Sequence, residues 1–214
     1  MTRDRLAAAR LCVLVSGGAD VGSFEQLVGG LVVAGVPMLQ VRDKQLSDDA
    51  LIDRCRLALA LSRRLAPAAP TLVIVNDRVE VALAAAADGV HLGAGDLPVA
   101  EARRRLGPTA LIGRTAHSLP EAEAAVAAGA DYLGVGPCFP SATKAFASHA
   151  PREFLAAAAT LPIPAFAIGG IDVGRIADLA GLGLSRIAVA AAVTAAADPA
   201  AAARMLLAAV AAGG

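Results

Sequence analysis

Short apolar runs recur down the chain at 11–15, 38–41, 72–75, 89–92, 110–112, 132–135, 165–168 and 186–189, each too brief to be a helix. Runs of this kind read as strands buried on both faces, as in a parallel sheet. Between them lie segments with helical periodicity, at 24–34, 47–65, 79–86, 99–106, 120–128, 152–159, 172–180 and 199–210. Helix starts are marked by Ser47 ahead of Asp48 and Asp49, Pro98 after Asp96, Ser118 before Glu121, and Asp198 before Pro199. Gly35, Gly107, Gly129 and Gly181 follow periodic stretches and act as stops.

Strand and helix alternate through eight repeats, which predicts an α/β fold, a single-domain TIM (β/α)8 barrel spanning residues 1–214. An open doubly wound sheet is the rival topology. It usually needs fewer units and a glycine-rich first turn, whose fingerprint Ser16-Gly17-Gly18 lacks. In a barrel the chemistry collects at the carboxyl ends of the strands, so the residues after each run matter most. Gln40, Val41, Arg42, Asp43 and Lys44 stand at the second strand end, and Asn76, Asp77 and Arg78 at the third. His91 and Asp96 belong to the fourth; Arg114, Thr115, His117 and Ser118 belong to the fifth.

The sixth strand leads into Gly136-Pro137-Cys138-Phe139-Pro140-Ser141-Ala142-Thr143-Lys144. Two hydroxyls and an ammonium at a strand's carboxyl end suit an anion, and phosphate is the natural candidate. The alternative is ordinary Gly-Pro and Phe-Pro loop chemistry that binds nothing. Gly169-Gly170 ahead of Ile171-Asp172 offers backbone N–H groups at a helix start, suited to a second phosphate, or else a tight turn capped by Asp172. Ala190, Ala191 and Ala192 are small enough for backbone amides to approach a ligand.

Asp77 and Asp96 are carboxylates from neighbouring strand ends with no soft ligands beside them, a pattern that fits Mg²⁺ shared with a substrate phosphate. The other reading makes each a helix cap. Arg42, Lys44 and Lys144 would suit a diphosphate if they converge, and are otherwise solvated surface charges. His117 is either a general acid or base or a hydrogen-bonding tie for its loop. His91 reads as a buried, satisfied histidine, and His149 has no assigned role.

Composition narrows the field. Of 214 residues 57% are hydrophobic, and the mean hydropathy of +0.62 comes mainly from alanine, so no stretch offers a membrane span. Arg3, Arg5 and Arg10 ahead of an apolar run resemble a targeting signal, but a first buried strand explains the run at least as well. Nineteen basic and 19 acidic residues cancel, leaving no global field for nucleic acid or an anionic membrane. Aromatics make up 3% with no Trp, which argues against a stacking platform for single-stranded nucleic acid. Cys12, Cys55 and Cys138 are scattered and odd in number, as expected of buried residues in a reducing cytoplasm.

The chain resembles the thiamine-phosphate synthases over nearly its whole length. The resemblance is carried by Gln40-Val41-Arg42-Asp43-Lys44, Val75-Asn76-Asp77-Arg78, Asp88-Gly89-Val90-His91-Leu92-Gly93 leading to Asp96, Ile112-Gly113 to His117, the stretch through Thr143-Lys144, and Ile168-Gly169-Gly170-Ile171. It implies a TIM barrel that joins a hydroxymethyl-aminopyrimidine diphosphate to a thiazole phosphate, releasing pyrophosphate by a dissociative substitution. By the same resemblance Gln40, Val41, Arg42, Asp43, Lys44, Asn76, Thr115 and Lys144 would hold the pyrimidine diphosphate, and Asp77 and Asp96 would bind Mg²⁺. Ser141, Ala142, Thr143, Gly169, Gly170, Ala190 and Ala191 would hold the thiazole phosphate. Arg42, Lys44, Lys144, Thr115 and His117 are the candidates for catalysis, and the expected partners are small phosphorylated molecules, with a homo-oligomer left open.

The chain departs from the family's usual residues at Ala94, Thr115, Ser141 and Ala191, and 145–151 lacks the family's loop glycines. Two alternatives stand beside the synthase: a thiazole tautomerase working by metal-free acid–base chemistry, and a non-catalytic protein that binds thiazole or thiamine phosphates.

Overall fold

Eight parallel strands close into a barrel in chain order, each paired with the next and the last with the first. The computed structural model describes residues 2–18, 20–140 and 149–213. The strands are β1 (Leu11–Val15), β2 (Met38–Val41), β3 (Leu72–Asn76), β4 (Gly89–Leu92), β5 (Leu111–Ala116), β6 (Tyr132–Val135), β7 (Ala165–Ile168) and β8 (Ile187–Val189). The helices are α1 (Thr2–Ala8), α2 (Val21–Val33), α3 (Asp48–Leu65), α4 (Val79–Ala85), α5 (Val99–Leu106), α6 (Leu119–Ala127), α7 (Arg152–Ala159), α8 (Ile176–Ala180), α9 (Ala191–Thr194) and α10 (Pro199–Ala212). Among the described residues no helix is long and apolar enough to cross a membrane.

Strand parity divides the core in two, because successive side chains point to opposite faces. Cys12, Leu14, Met38, Leu72, Ile74, Leu111, Tyr132, Phe166, Ile168 and Ala188 form one cluster inside the barrel. Their neighbours, among them Val13, Leu39, Val41, Val73, Val75, Leu92, Ile112, Leu133 and Val189, pack outward with the helices. Both faces of each strand are therefore dry, which is why the runs are apolar without alternation.

β3 and β5 extend further than the apolar runs alone predict. Arg114 pairs with Leu92, and Thr115 with Gly134, so polar residues continue the ladder where the barrel opens to its mouth. Ser47, Ser118 and Asp198 cap their helices through Ala50, Glu121 and Ala201 N–H. α2 begins earlier than its apolar periodicity indicates, because Asp20 accepts from Ser23 N–H at 3.0 Å and starts the helix there. The segment expected as one helix over 172–180 is instead a 3₁₀ turn, Val173–Arg175, followed by α8. Asp172 makes no side-chain cap bond, so nothing locks the first turn into α geometry.

Two helices escape the periodicity, α1 and α9. α1 closes the amino end of the barrel: Leu6, 3% exposed, and Ala9 join the interior cluster. Burying that leucine contributes roughly 2 kcal/mol. The basic residues around it act as arms. Arg3 reaches Asp131 Oδ1 at 2.9 Å and Pro108 O at 3.0 Å, Arg5 reaches Pro70 O at 2.6 Å, and Arg186 donates to Ala7 O at 2.7 Å.

Candidate active site

The ends of β3 and β4 place two carboxyl groups side by side. Asp77 sits at φ 63°, a left-handed backbone that asparagine and aspartate tolerate better than most residues, and its N–H donates to His91 O at 2.8 Å. Asp96 Oδ2 accepts from Gly93 N–H at 2.6 Å, which curls the loop after β4 so that its carboxyl meets that of Asp77. Neither residue caps a helix: the cap positions of α4 and α5 are Arg78 and Pro98, with no side-chain cap bond. Burial pushes the Asp77 carboxyl up to about 6; the adjoining Asp96 carboxyl adds to the rise, while Lys44 and Asn76 oppose it. Lys44 is therefore near enough to Asp77 to favour its charge, and the Asn76 side chain hydrogen-bonds it. Among the described residues no group of three or more His, Cys, Asp or Glu gathers, so a hard cation here would take two carboxylates and draw its remaining oxygens from ligand and water.

The loop after β2 divides its residues by orientation. Gln40 is inward by parity and 5% exposed, and Arg42 and Lys44 are exposed beyond the strand end. Val41 points into the helical shell and is fully buried, so its side chain is not brought to the mouth. Asp43 is occupied within the protein: it accepts from Ser16 Oγ at 2.8 Å, Gln45 N at 2.8 Å and Leu46 N at 3.0 Å. Burial opposes its ionisation, but these donors and Gly18 N–H outweigh that and hold the carboxyl below its ordinary range. Its work is to fix the loop that presents Arg42 and Lys44. Arg78 ties the same region from the other side, donating to Leu46 O at 2.8 Å and Asp48 Oδ1 at 3.1 Å.

Inside the barrel a polar chain runs toward this cluster. His91 Nδ1 lies 3.2 Å from Tyr132 Oη, and its Nε2 lies 2.9 Å from Thr115 Oγ1. His91 is 8% exposed; burial lowers its imidazole to about 4, Asp96 opposes the shift and Arg114 adds to it. Thr115 is thus both a mouth residue and a partner of an interior histidine.

β5 and β6 supply the remaining polar groups. Arg114 donates to Leu97 O at 3.5 Å and Ala94 O at 3.3 Å, bracing the loop that carries Asp96. His117 is exposed. Its N–H donates to Glu121 Oε2 at 2.7 Å, and Nδ1 lies 2.6 Å from Gly136 O. A carbonyl can only accept, so Nδ1 carries the proton and His117 ties the β5 and β6 ends together.

Beyond β7, Gly169 and Gly170 adopt φ of 91° and 65°, conformations open to glycine at no steric cost. Cys138 and Phe139 N–H donate to Ile168 and Gly169 O at 2.8 and 3.1 Å, which holds the start of the β6 loop against this turn. Among the described residues the Gly169 and Gly170 N–H groups have no acceptor. Ala190 stands at the start of α9, its carbonyl taken by Val193 and Thr194, with Ala191 opening the helix. Ser141, Ala142, Thr143 and Lys144 lie outside the described residues.

The structure thus brings together Lys44, Asn76, Asp77, Asp96 and the His91–Thr115 pair. The sequence did not reveal the braces: Ser16 on Asp43, Arg114 on the Asp96 loop, and Tyr132 on His91. Parity held a usable signal, since 91, 115 and 132 all point inward while glycines at 113 and 134 leave room around them. Two clefts, about 340 and 250 Å³, flank α1 at the opposite end, share Ala7, Ile163 and Pro164, and touch none of these groups.

A family model described as thiamine monophosphate synthase (TMP-TENI) matches residues 11–193. The thiamine-phosphate synthase of Anaeromyxobacter dehalogenans is 46% identical over 187 residues, covering 86% of this chain and 79% of that protein. Those of Gloeobacter violaceus and Synechococcus sp. CC9311 are 42% and 40% identical over 89% of this chain, but the match covers only 54% of each. The chain therefore spans about half the length of these two curated relatives. Among solved structures, thiamine phosphate pyrophosphorylase from Pyrococcus furiosus superposes with a TM-score of 0.83 at 30% identity, over 100% of this chain and 99% of that one. With a family model across most of its length and relatives of comparable size at 30% and 46% identity, the chain belongs to the thiamine monophosphate synthase family.

Proposed function

We propose that this chain, taken as one barrel over 1–214, is a Mg²⁺-assisted transferase. It joins a hydroxymethyl-aminopyrimidine diphosphate to a thiazole phosphate, giving thiamine phosphate and pyrophosphate. The observation that carries the reading is the Asp77–Asp96 carboxyl pair with Lys44 beside it, at adjacent strand ends of a barrel from this family. Two carboxyl groups pressed together in a half-buried site fit a hard divalent cation, which would offset both the burial and the Asp96 repulsion that raise Asp77. Mg²⁺ bound there would neutralise charge gathering on a departing diphosphate.

The chain's own residues bind and align. Arg42 and Lys44 lie on the loop fixed by Asp43, placed to hold the diphosphate, with Gln40, Asn76 and Thr115 lining the mouth beneath it. The Gly169 and Gly170 amides, which have no acceptor among the described residues, suit the thiazole phosphate together with Ala190 and Ala191 at the next strand end. Ser141, Ala142, Thr143 and Lys144 join these subsites through the sequence resemblance. A dissociative substitution asks the protein for little bond-making chemistry of its own. It asks for charge neutralisation and for two substrates held in register, worth several powers of ten in rate. The three cysteines, free and buried, support a reducing compartment, the cytoplasm.

The test is to mix both substrates with and without Mg²⁺ and follow pyrophosphate. Metal-dependent release is expected, lost in Asp77→Ala and in Asp96→Ala. Turnover unaltered in both variants removes the metal role; metal-free isomerisation of the thiazole, stopped by His117→Ala, replaces the synthase with a tautomerase.

A further inference from the structure

We propose that Tyr132 and His91 are positioning residues that fix the direction of the Thr115 hydroxyl, so that Thr115 presents its proton, and not its lone pairs, to a hydrogen-bond acceptor on the ligand. The inference deepens the transferase reading and rests on it for the identity of that ligand, the pyrimidine diphosphate.

The argument is a count of hydrogens along one chain. Tyr132 Oη, His91 and Thr115 Oγ1 are linked at 3.2 and 2.9 Å, and Tyr132 is 2% exposed. A neutral imidazole carries one N–H, so the chain has two possible directions. In the first, Tyr132 donates to Nδ1, Nε2–H donates to Thr115, and the only proton left over is that of Thr115, half-buried at the open end of β5. In the second, Nδ1–H donates to the phenol and Thr115 donates inward to Nε2. The phenol hydrogen then stays in the apolar interior cluster that also holds Cys12, Met38 and Phe166, with no acceptor bonded to it among the described residues. An orphaned buried donor is costly, whereas a hydroxyl at the mouth finds water or ligand. A doubly protonated imidazole orphans the same phenol hydrogen and buries a charge, with no carboxylate bonded to either ring nitrogen. Only the first direction satisfies every buried group.

The consequence is chemical selectivity. A threonine alone can rotate to donate or accept. Held by His91 Nε2–H, Thr115 offers a proton outward and suits an acceptor, such as a ring nitrogen or a diphosphate oxygen, over a donor.

Two measurements test this. Nitrogen-15 spectra of the ligand-free protein, with the His91 signals assigned by comparison with His91→Gln, should show Nε2 protonated and Nδ1 unprotonated at neutral pH. The opposite tautomer, or a doubly protonated ring, overturns the inference whether or not the protein is a synthase. Calorimetric binding of the pyrimidine diphosphate should weaken about tenfold in Tyr132→Phe, which keeps the ring and removes only the hydroxyl. In a Thr115→Val background the same change should have no further effect. An equal loss in both backgrounds means Tyr132 does not act through Thr115 and overturns the proposal. Failure of the wild-type protein to bind that substrate counts against the transferase reading, while the tautomer still decides the direction of the chain.

Discussion

The Asp77 and Asp96 carboxyl groups meet across the ends of two adjacent strands, and burial together with that neighbour raises Asp77 from its ordinary value of 3.8 to about 6. The folded protein then holds more protons on Asp77 than the unfolded chain between about pH 4 and about pH 6. The contribution of Asp77 to stability is accordingly greatest below that window, falls as pH rises through it, and levels off above. Asp77→Asn removes the charge and keeps a residue that tolerates the left-handed backbone. In metal-free protein it should stabilise by ~1 kcal/mol near pH 8, a figure reduced for the half-exposed setting, and by nothing near pH 4. Urea unfolding at the two pH values measures this; a gain at both, or at neither, contradicts the cost of an ionised Asp77 in its buried place beside Asp96.

Gly113 lies opposite Tyr132 and His91 in the barrel interior. A Cβ built there would overlap the Tyr132 ring and stand 2.5 Å from His91 Nδ1. Gly113→Ala should therefore cost about 3 kcal/mol by overpacking, and should break the Tyr132–His91 contact. Tyr132 is the sole tyrosine in a chain with no tryptophan, so near-ultraviolet circular dichroism of the tyrosine band reads its surroundings directly. An unchanged band and unchanged unfolding midpoint would contradict the tight fit.

How much of this was legible beforehand varies with the range of the interaction. The strands and most of the helices follow from local apolar patterning, and the Ser47, Ser118 and Asp198 caps from residues within one turn. α1 was hidden because seven residues with three charges carry little periodicity; its stability comes from plugging the barrel, which only the closed sheet creates. The 3₁₀ turn before α8 was hidden because Asp172 looks like a cap and makes no cap bond. At the site, residue types at strand ends pointed to Asp77, Asp96 and Lys44. The pairings that assign work to Asp43, Thr115 and Arg114 span 17 to 27 residues and depend on barrel closure.

Leu6 tests the plug. It is buried with Ala9 against the interior cluster at the amino end, far from the carboxyl-end polar groups. Leu6→Ala should destabilise by about 2–4 kcal/mol in chemical unfolding. Arg3→Gln, which removes a salt bridge whose arginine side chain is 57% exposed, should cost less than about 1 kcal/mol. If the two changes cost the same, α1 is held by its surface arms and not by its buried leucine.

Arg114 offers a separation of site geometry from fold stability. Its guanidinium spans the carbonyls of Ala94 and Leu97, one on either side of Asp96, and so sets where that carboxylate points. Arg114→Met keeps the apolar stem and removes the two donors, leaving the loop free to swing its carboxylate away from Asp77. A support of this kind to a metal-binding carboxylate is worth roughly tenfold or more in affinity. The Mg²⁺ concentration for half-maximal pyrophosphate release should rise by about that factor, while unfolding free energy shifts by less than about 1 kcal/mol. An unchanged Mg²⁺ titration would show that the Gly93 N–H to Asp96 bond alone holds the loop, and a large stability loss would place Arg114 among the structural residues of the barrel.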